Sequence, residues 1–276
     1  MRGEAEPAKG RTGKLLAVAA VGAILLLERR RPLRRFERPE ALRVPRNLAL
    51  GALSLATTAV LQKPLAEPLA QLVERRRWGL VQRLPKPLHA PVALLLFDYS
   101  MYLWHRLTHV VPALWRLHVV HHIERDMDAT TALRFHPADM AVSVPWRLAQ
   151  VALIGAGPRE LRLWQRLFFA SVLFHHSNLR LPAGLERRLE PFLVTPRMHG
   201  IHHAPTPAET GSNWSSGLSI WDRLHGTLRR GTATAAGRTG VPGYPLATDA
   251  RLGLAMRLPF MRQRDAWQQP SGADPA

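Results

Sequence analysis

Thirteen histidines occur in this 276-residue chain, and ten of them fall into three groups. His105 and His109 are four apart. His118, His121 and His122 follow at spacings of three and four. His175, His176, His199, His202 and His203 form the last group, and its closing trio repeats the spacing of the second. Residues three or four apart on a helix share a face, so each group can aim two or three imidazoles at one point. Imidazole suits iron, copper, zinc and nickel. A single zinc takes three or four ligands, and eight or more histidines exceed that, so the count points to two metals. The chain has no HExxH and no Glu-x-x-His, which removes the usual zinc-protease pattern and the carboxylate pattern of ferritin-like di-iron bundles. Such a centre beside apolar helices suits oxidation of a greasy substrate. A zinc-handling membrane protein without oxidative chemistry is the alternative, and a zinc hydrolase is disfavoured by the missing glutamate base.

The elements that must carry these groups are apolar runs. Leu15–Leu27 and Leu48–Leu61 flank a segment with eight arginines between Arg29 and Arg46. They read as a membrane hairpin whose basic loop is cytoplasmic by the positive-inside rule. Residues 63–87 hold Arg75, Arg76 and Arg77 and read as an interfacial segment. Leu88–Trp104 runs straight into His105, and Pro112 ends that helix and starts the next. Met140–Ala156 and Leu161–Phe174 read as a second hairpin. Arg147 inside it is costly and is expected at a helix end or facing protein. Residues 123–137 read as a polar loop.

The formal net charge of +18 suggests nucleic acid or an anionic membrane surface. No nucleic-acid motif accompanies it, and arginines beside apolar runs favour lipid. The absence of cysteine excludes disulfides, thiolate zinc sites and protein-held iron–sulfur clusters. The expected architecture is all-α: an integral membrane helical bundle with short histidine-bearing helices forming a cytosolic cap. The expected divisions are a disordered tail over 1–14, the hairpin and basic segment over 15–87, a catalytic domain over 88–230 and a C-terminal tail over 231–276.

Several motifs then carry a resemblance. Asp98-x3-Tyr102-x2-His105-Arg106-x2-His109, Trp115-Arg116-x-His118-x2-His121-His122 and Thr195-Pro196-x-Met198-His199-x2-His202-His203 resemble the three histidine boxes of the fatty acid hydroxylase (sterol desaturase) superfamily. The segment from Asp128 to Pro137, Phe174-His175-His176-Ser177-Asn178, Asn213-Trp214 and Trp221-Asp222-Arg223-Leu224-x-Gly226-Thr227 are similar to its other elements, in the family's order. The resemblance spans roughly 90–230. It implies a non-haem di-iron oxidoreductase that hydroxylates or desaturates a lipid with O2. The implied electron donor is external, of the ferredoxin or cytochrome b5 type, and no nucleic acid is involved. The implied ligands of the two irons are His105, His109, His118, His121, His122, His176, His199, His202 and His203. His175 is an even choice between ligand and local hydrogen bond. Asp98, Tyr102 and His136 are expected to hold ligand imidazoles by hydrogen bonds, while His89 and His225 are expected to be incidental.

Overall fold

The computed structural model of the chain describes residues 8–231 and 237–270, with side chains described from residue 19 onward. It is all-helical. Among the described residues there is no β-strand, only isolated bridges between Pro32 and Leu179 and between Leu193 and Leu218.

Helix α1 (Ala8–Arg30) leads to α2 (Glu40–Thr57), which continues through a π turn (Thr58–Gln62) into α3 (Lys63–Arg76). The two runs read from sequence as a span and an interfacial segment therefore form one continuous helix, Glu40–Arg76, ended by the left-handed Arg77, within a stretch, Glu40–Arg83, long and apolar enough to cross a membrane. The prolines do not break it: Pro64 lies just after the π turn, and Pro45 and Pro68 lie within α2 and α3. This stretch runs parallel to α6 (Pro137–Ile154), with Gly51 against Leu133 at one end and Gly79 against Gly155 at the other. Gly79 and Gly155 both have φ of 82°, and a Cβ on Gly155 would lie 2.6 Å from the Trp78 carbonyl. Only glycine permits both the left-handed backbone and that approach.

Helices α4 (Lys86–Val110) and α7 (Pro158–His176) complete the bundle. Its core is Val73, Phe97, Met101, Val151, Leu161 and Trp164, one apolar residue or more from each of α3, α4, α6 and α7. Phe97 and Trp164 stack at 5.5 Å. The outward faces are left bare: Leu55 is 57%, Val60 70% and Leu153 74% exposed.

A second layer of short elements closes one end. It contains α5 (Pro112–His122), α8 (Ala183–Leu189), α9 (Pro196–His202), α10 (Pro207–Thr210) and α11 (Ile220–Leu224). Two expectations change here. Residues 237–270 are no tail: Val241, Tyr244, Ala255, Leu258 and Ala266, with α12 (Leu252–Arg257), pack on Leu50, Val119, Val120 and Ile123. Outside Leu252–Phe260, which reads from sequence as a short interfacial helix, their apolar residues are spaced too irregularly to announce one, but the face of α5 needs covering. Residues 123–137 are no solvated loop: Glu124, Asp126, Asp128, Thr131 and Arg134 are buried. Each of these polar groups has a partner, as burial demands. Arg43 pairs with Asp128, and Arg134 donates to the Val120 carbonyl at 3.0 Å and to Asn47 Oδ1 at 3.1 Å. The proposed tail over 1–14 is split, since 1–7 lie outside the described residues and α1 begins at Ala8.

The basic loop after α1 is tied to the histidine end. Arg34 is buried and donates to the Pro196 carbonyl at 3.0 Å, and its backbone exchanges hydrogen bonds with the Asn178 side chain.

Candidate metal centre

Four elements deliver the histidines. The last turns of α4 carry His105 and His109. Val111 is extended and Pro112 occupies the first turn of α5, so the chain reverses and sets His118, His121 and His122 against α4. The end of α7 carries His175 and His176. Helix α9 starts where the Thr195 side chain accepts the Met198 N–H, and it carries His199 and His202, with His203 at its C-cap.

These side chains sort into two groups of four. His105, His109, His122 and His202 form one; His121, His176, His199 and His203 form the other. Within each group the ligand nitrogens lie within 4.8 Å of one another. Sequence neighbours separate: His121 and His122 go to different groups, as do His202 and His203. Successive helical residues point about 100° apart, so each pair straddles the two centres and fixes their separation.

The outer nitrogens are tethered. His105 Nδ1 donates to the Trp214 carbonyl at 2.7 Å, His202 Nδ1 to the Ser212 carbonyl at 2.8 Å and His176 Nδ1 to the Val172 carbonyl at 2.8 Å. A carbonyl only accepts, so in each neutral ring the proton is on Nδ1 and Nε2 keeps its lone pair. His176 Nε2 lies 3.0 Å from both His121 Nε2 and His199 Nε2. Having only a lone pair there, His176 can accept a proton but cannot satisfy both neighbours as ordinary hydrogen bonds do. Moreover His109 Nε2, His122 Nε2, His202 Nε2 and both nitrogens of His203 are buried without partners. Orphaned buried nitrogens are costly, and here they converge. A cation in each group would satisfy the nitrogens that converge there. Nitrogens about 3 Å apart are also what two metal–nitrogen bonds of about 2.1 Å subtend at a right angle. Burial first, then the neighbouring imidazoles, holds His121, His122, His199 and His203 well below the usual histidine range, and burial takes His202 down to about 3. The rings are therefore neutral at pH 7, as metal-binding imidazoles must be.

His118 belongs to neither group of four. Its Nδ1 faces Asp139 Oδ2 at 3.3 Å, and its buried Nε2 has no partner. Its ring is 5.3 Å from His105, 5.0 Å from His109, 5.3 Å from His121 and 5.1 Å from His122, which places it between the centres. His175 lies 4.1 Å from the His199 ring, with Nδ1 unpartnered.

The three residues expected to hold imidazoles do other work. Asp98 Oδ2 accepts the Leu218 N–H at 2.8 Å and the Trp221 Nε1–H at 2.7 Å, because its side chain reaches the 213–227 segment rather than along its own helix. Tyr102 hydrogen-bonds Thr227 Oγ1 at 3.1 Å. His136 caps α6 through Nδ1 and meets the Met256 carbonyl through Nε2, so neither nitrogen is free. The residues that do position imidazoles were not foreseen. Asp139 is one, signalled only by an acid in the first turn of an apolar run. The carbonyls of Trp214 and Ser212 are others, which no side-chain pattern reports. Asp222 fixes that loop: Oδ1 accepts the Trp214 N–H at 2.9 Å and Oδ2 the Ser215 N–H at 3.0 Å. His225, expected to be incidental, stacks on Tyr102 at 4.9 Å and bonds Tyr99 Oη at 3.1 Å.

A cavity of about 180 Å³ runs from the bundle to the imidazoles. Leu55, Met101, Trp104, Phe168, Phe169 and Val172 give it apolar walls, and His105, His118, His121, His175, His176 and His199 form its end.

The fatty acid hydroxylase family model matches residues 90–227. An ornithine lipid hydroxylase of Rhizobium tropici is 31% identical over 160 residues, 56% of this chain and 47% of the relative. An alkylglycerol monooxygenase of Xenopus tropicalis is 29% identical over 155 residues, 55% of this chain and 34% of the relative. A human cholesterol 25-hydroxylase is 27% identical over 150 residues, 53% of each chain. The chain thus spans about half the length of these relatives or less. No solved structure matches it.

Proposed function

This chain belongs to the fatty acid hydroxylase family, and on that premise we propose that it is a membrane-embedded, non-haem di-iron enzyme that hydroxylates a lipid C–H bond. The observation that carries the proposal is the apolar cavity ending on neutral imidazoles. Its walls take an alkyl chain, and its end presents nitrogen ligands sufficient for two ions. The relatives' names, hydroxylase and monooxygenase in each case, favour hydroxylation over desaturation.

Two irons, when bound, supply the O2 chemistry that an unactivated C–H bond requires. His105, His109, His122 and His202 would hold one, and His121, His176, His199 and His203 the other, with His118 between. The protein's own part is positional. Trp214, Ser212 and Val172 carbonyls fix ring tautomers, Asp139 orients His118, and the apolar walls exclude water and align the chain. Electrons come from an external ferredoxin or cytochrome b5-type partner, as the family resemblance implies.

The membrane reading rests on the exposed leucines and on the length of Glu40–Arg83. A surface this apolar needs lipid or another protein against it. The Arg29–Arg46 segment joins the histidine end through Arg34, so the positive-inside rule puts the metal centre on the cytoplasmic face. The catalytic unit is 88–230, held from outside by α2 and by residues 237–270.

Metal analysis of detergent-purified protein tests this. Two irons per chain, one lost in His121→Ala and the other in His202→Ala, together with a new lipid hydroxyl in a host expressing the wild type but not His122→Ala, are expected. A single bound zinc without O2 consumption under any reductant would sink the proposal and favour a zinc-handling protein.

A further inference from the structure

Arg147 brings a positive charge into the apolar run of α6, and its side chain lines the cavity. The guanidinium is under-used. Nε donates to Ser143 Oγ at 3.2 Å, Nη1 lies 4.0 Å from Met101 Sδ, and Nη2 makes no hydrogen bond. Among the described residues it forms no ion pair. Asp139, the carboxylate whose charge reaches it, faces His118 instead.

Three hydroxyls of the cavity wall are committed. Ser54 Oγ donates to the Phe135 carbonyl at 2.6 Å, Thr58 Oγ1 to the Ser54 carbonyl at 3.0 Å and Thr108 Oγ1 to the His105 carbonyl at 2.7 Å. Apart from the imidazoles, Arg147 is the one basic group among the described residues that line the cavity, and so the cationic donor that an acidic ligand there can engage. An unpaired guanidinium among apolar side chains is costly, and an ionisable group at such a place marks a ligand path. Its planar fork matches a carboxylate or phosphate in two-pronged fashion. Met101 stands one turn, about 6 Å along the axis, before His105, so an anion on Arg147 would lie within reach of the histidine end.

We infer that Arg147 determines specificity by pairing with the acidic group, carboxylate or phosphate, of an anionic amphiphile whose chain fills the cavity. This rests on the lipid-hydroxylase reading for what the cavity serves, but the pairing itself is a binding property and is independent of turnover.

Equilibrium binding of palmitate, hexadecyl phosphate and hexadecanol to the full-length, metal-loaded protein in uncharged detergent tests it. The wild type should bind one or both acidic probes about ten- to a hundredfold more tightly than the alcohol, the range expected for hydrogen bonds to a charged group. Which acid wins identifies the head. Arg147→Gln should abolish the preference while leaving hexadecanol binding unchanged, and Arg147→Lys should keep part of it. Melting temperatures identify any variant that fails to fold, and Arg147→Lys then carries the comparison. Equal binding of acid and alcohol by the wild type overturns the inference, as does a preference that survives in Arg147→Gln. A parallel loss for acid and alcohol, the mark of a purely structural role, also overturns it. Failure of the enzyme reading would appear instead as missing iron or missing product, with these affinities unaffected.

Discussion

His121 Nε2 and His176 Nε2 face each other at 3.0 Å although 55 residues separate them in the chain. Because His176 commits its ring proton to the Val172 carbonyl, this contact joins α5 to α7 through a lone pair that a cation satisfies. His122, the next residue, turns to the other group of four.

That division predicts separable metal losses. His121→Ala and His199→Ala should each remove the ion of one group, and His109→Ala and His122→Ala the ion of the other. Each single variant should retain about half of the wild-type metal, measured by elemental analysis and resolved by Mössbauer spectroscopy. Loss of both ions in every variant would mean that the two groups do not fill independently.

Asp139→Asn tests the contact to His118. The amide keeps the volume and removes the negative charge that orients the ring. Loss of such an outer partner costs on the order of ten- to a hundredfold in metal affinity. Competition with a chromophoric chelator would measure this, with helical content by circular dichroism unchanged. An unaltered affinity would leave His118 outside the coordination sphere.

The histidines were legible because ligand spacing on a helix is short-range: His105 with His109, and His118 with His121, need only the helical period. What holds them was not, since Trp214 and Ser212 act through backbone carbonyls that carry no sequence identity. Asp98 was misassigned for a related reason. Helical periodicity places it near the face of His105, but Gly217 opens space for its carboxylate on another element, where a Cβ would collide with it. The long helix Glu40–Arg76 was divided at its polar and proline residues because sequence reports apolar runs, whereas the helix is continued by packing on α6. Residues 237–270 were read as a tail because their apolar residues have no period, and only the exposed face of α5 gives them a place.

Asp222→Ala removes the acceptor of the Trp214 and Ser215 N–H groups, both buried. Each abandoned donor costs about 1–3 kcal/mol. The Trp214 carbonyl should then release His105, so stability in detergent and metal content should fall together. Asp222→Asn, which keeps an oxygen for one of the two donors, should show a smaller loss of both. Full metal content in Asp222→Ala would show that His105 needs no tether.

Glu28 predicts a pH dependence of the fold. It is buried at the end of α1, where Oε2 accepts the Asn178 N–H at 2.8 Å and the Ala129 N–H at 3.1 Å. Burial, and then the charge of Asp128, raise its carboxyl to about 7, and the two N–H bonds only partly oppose them. The folded protein therefore binds this proton more tightly than the unfolded chain does. The stability so gained is fully present below the unfolded value near 4.5 and is lost as the pH rises through about 7. Glu28→Gln keeps an oxygen for the same N–H groups and has nothing to ionise. Its melting temperature should exceed that of the wild type above pH 7, and the difference should shrink as the pH is lowered towards 4.5. Comparing the two proteins in one buffer series cancels the titration of the histidines, which both contain. A constant difference across that range would mean that Glu28 keeps its charge in the fold, and that the two N–H groups at the junction of α1 with the histidine cap outweigh its burial.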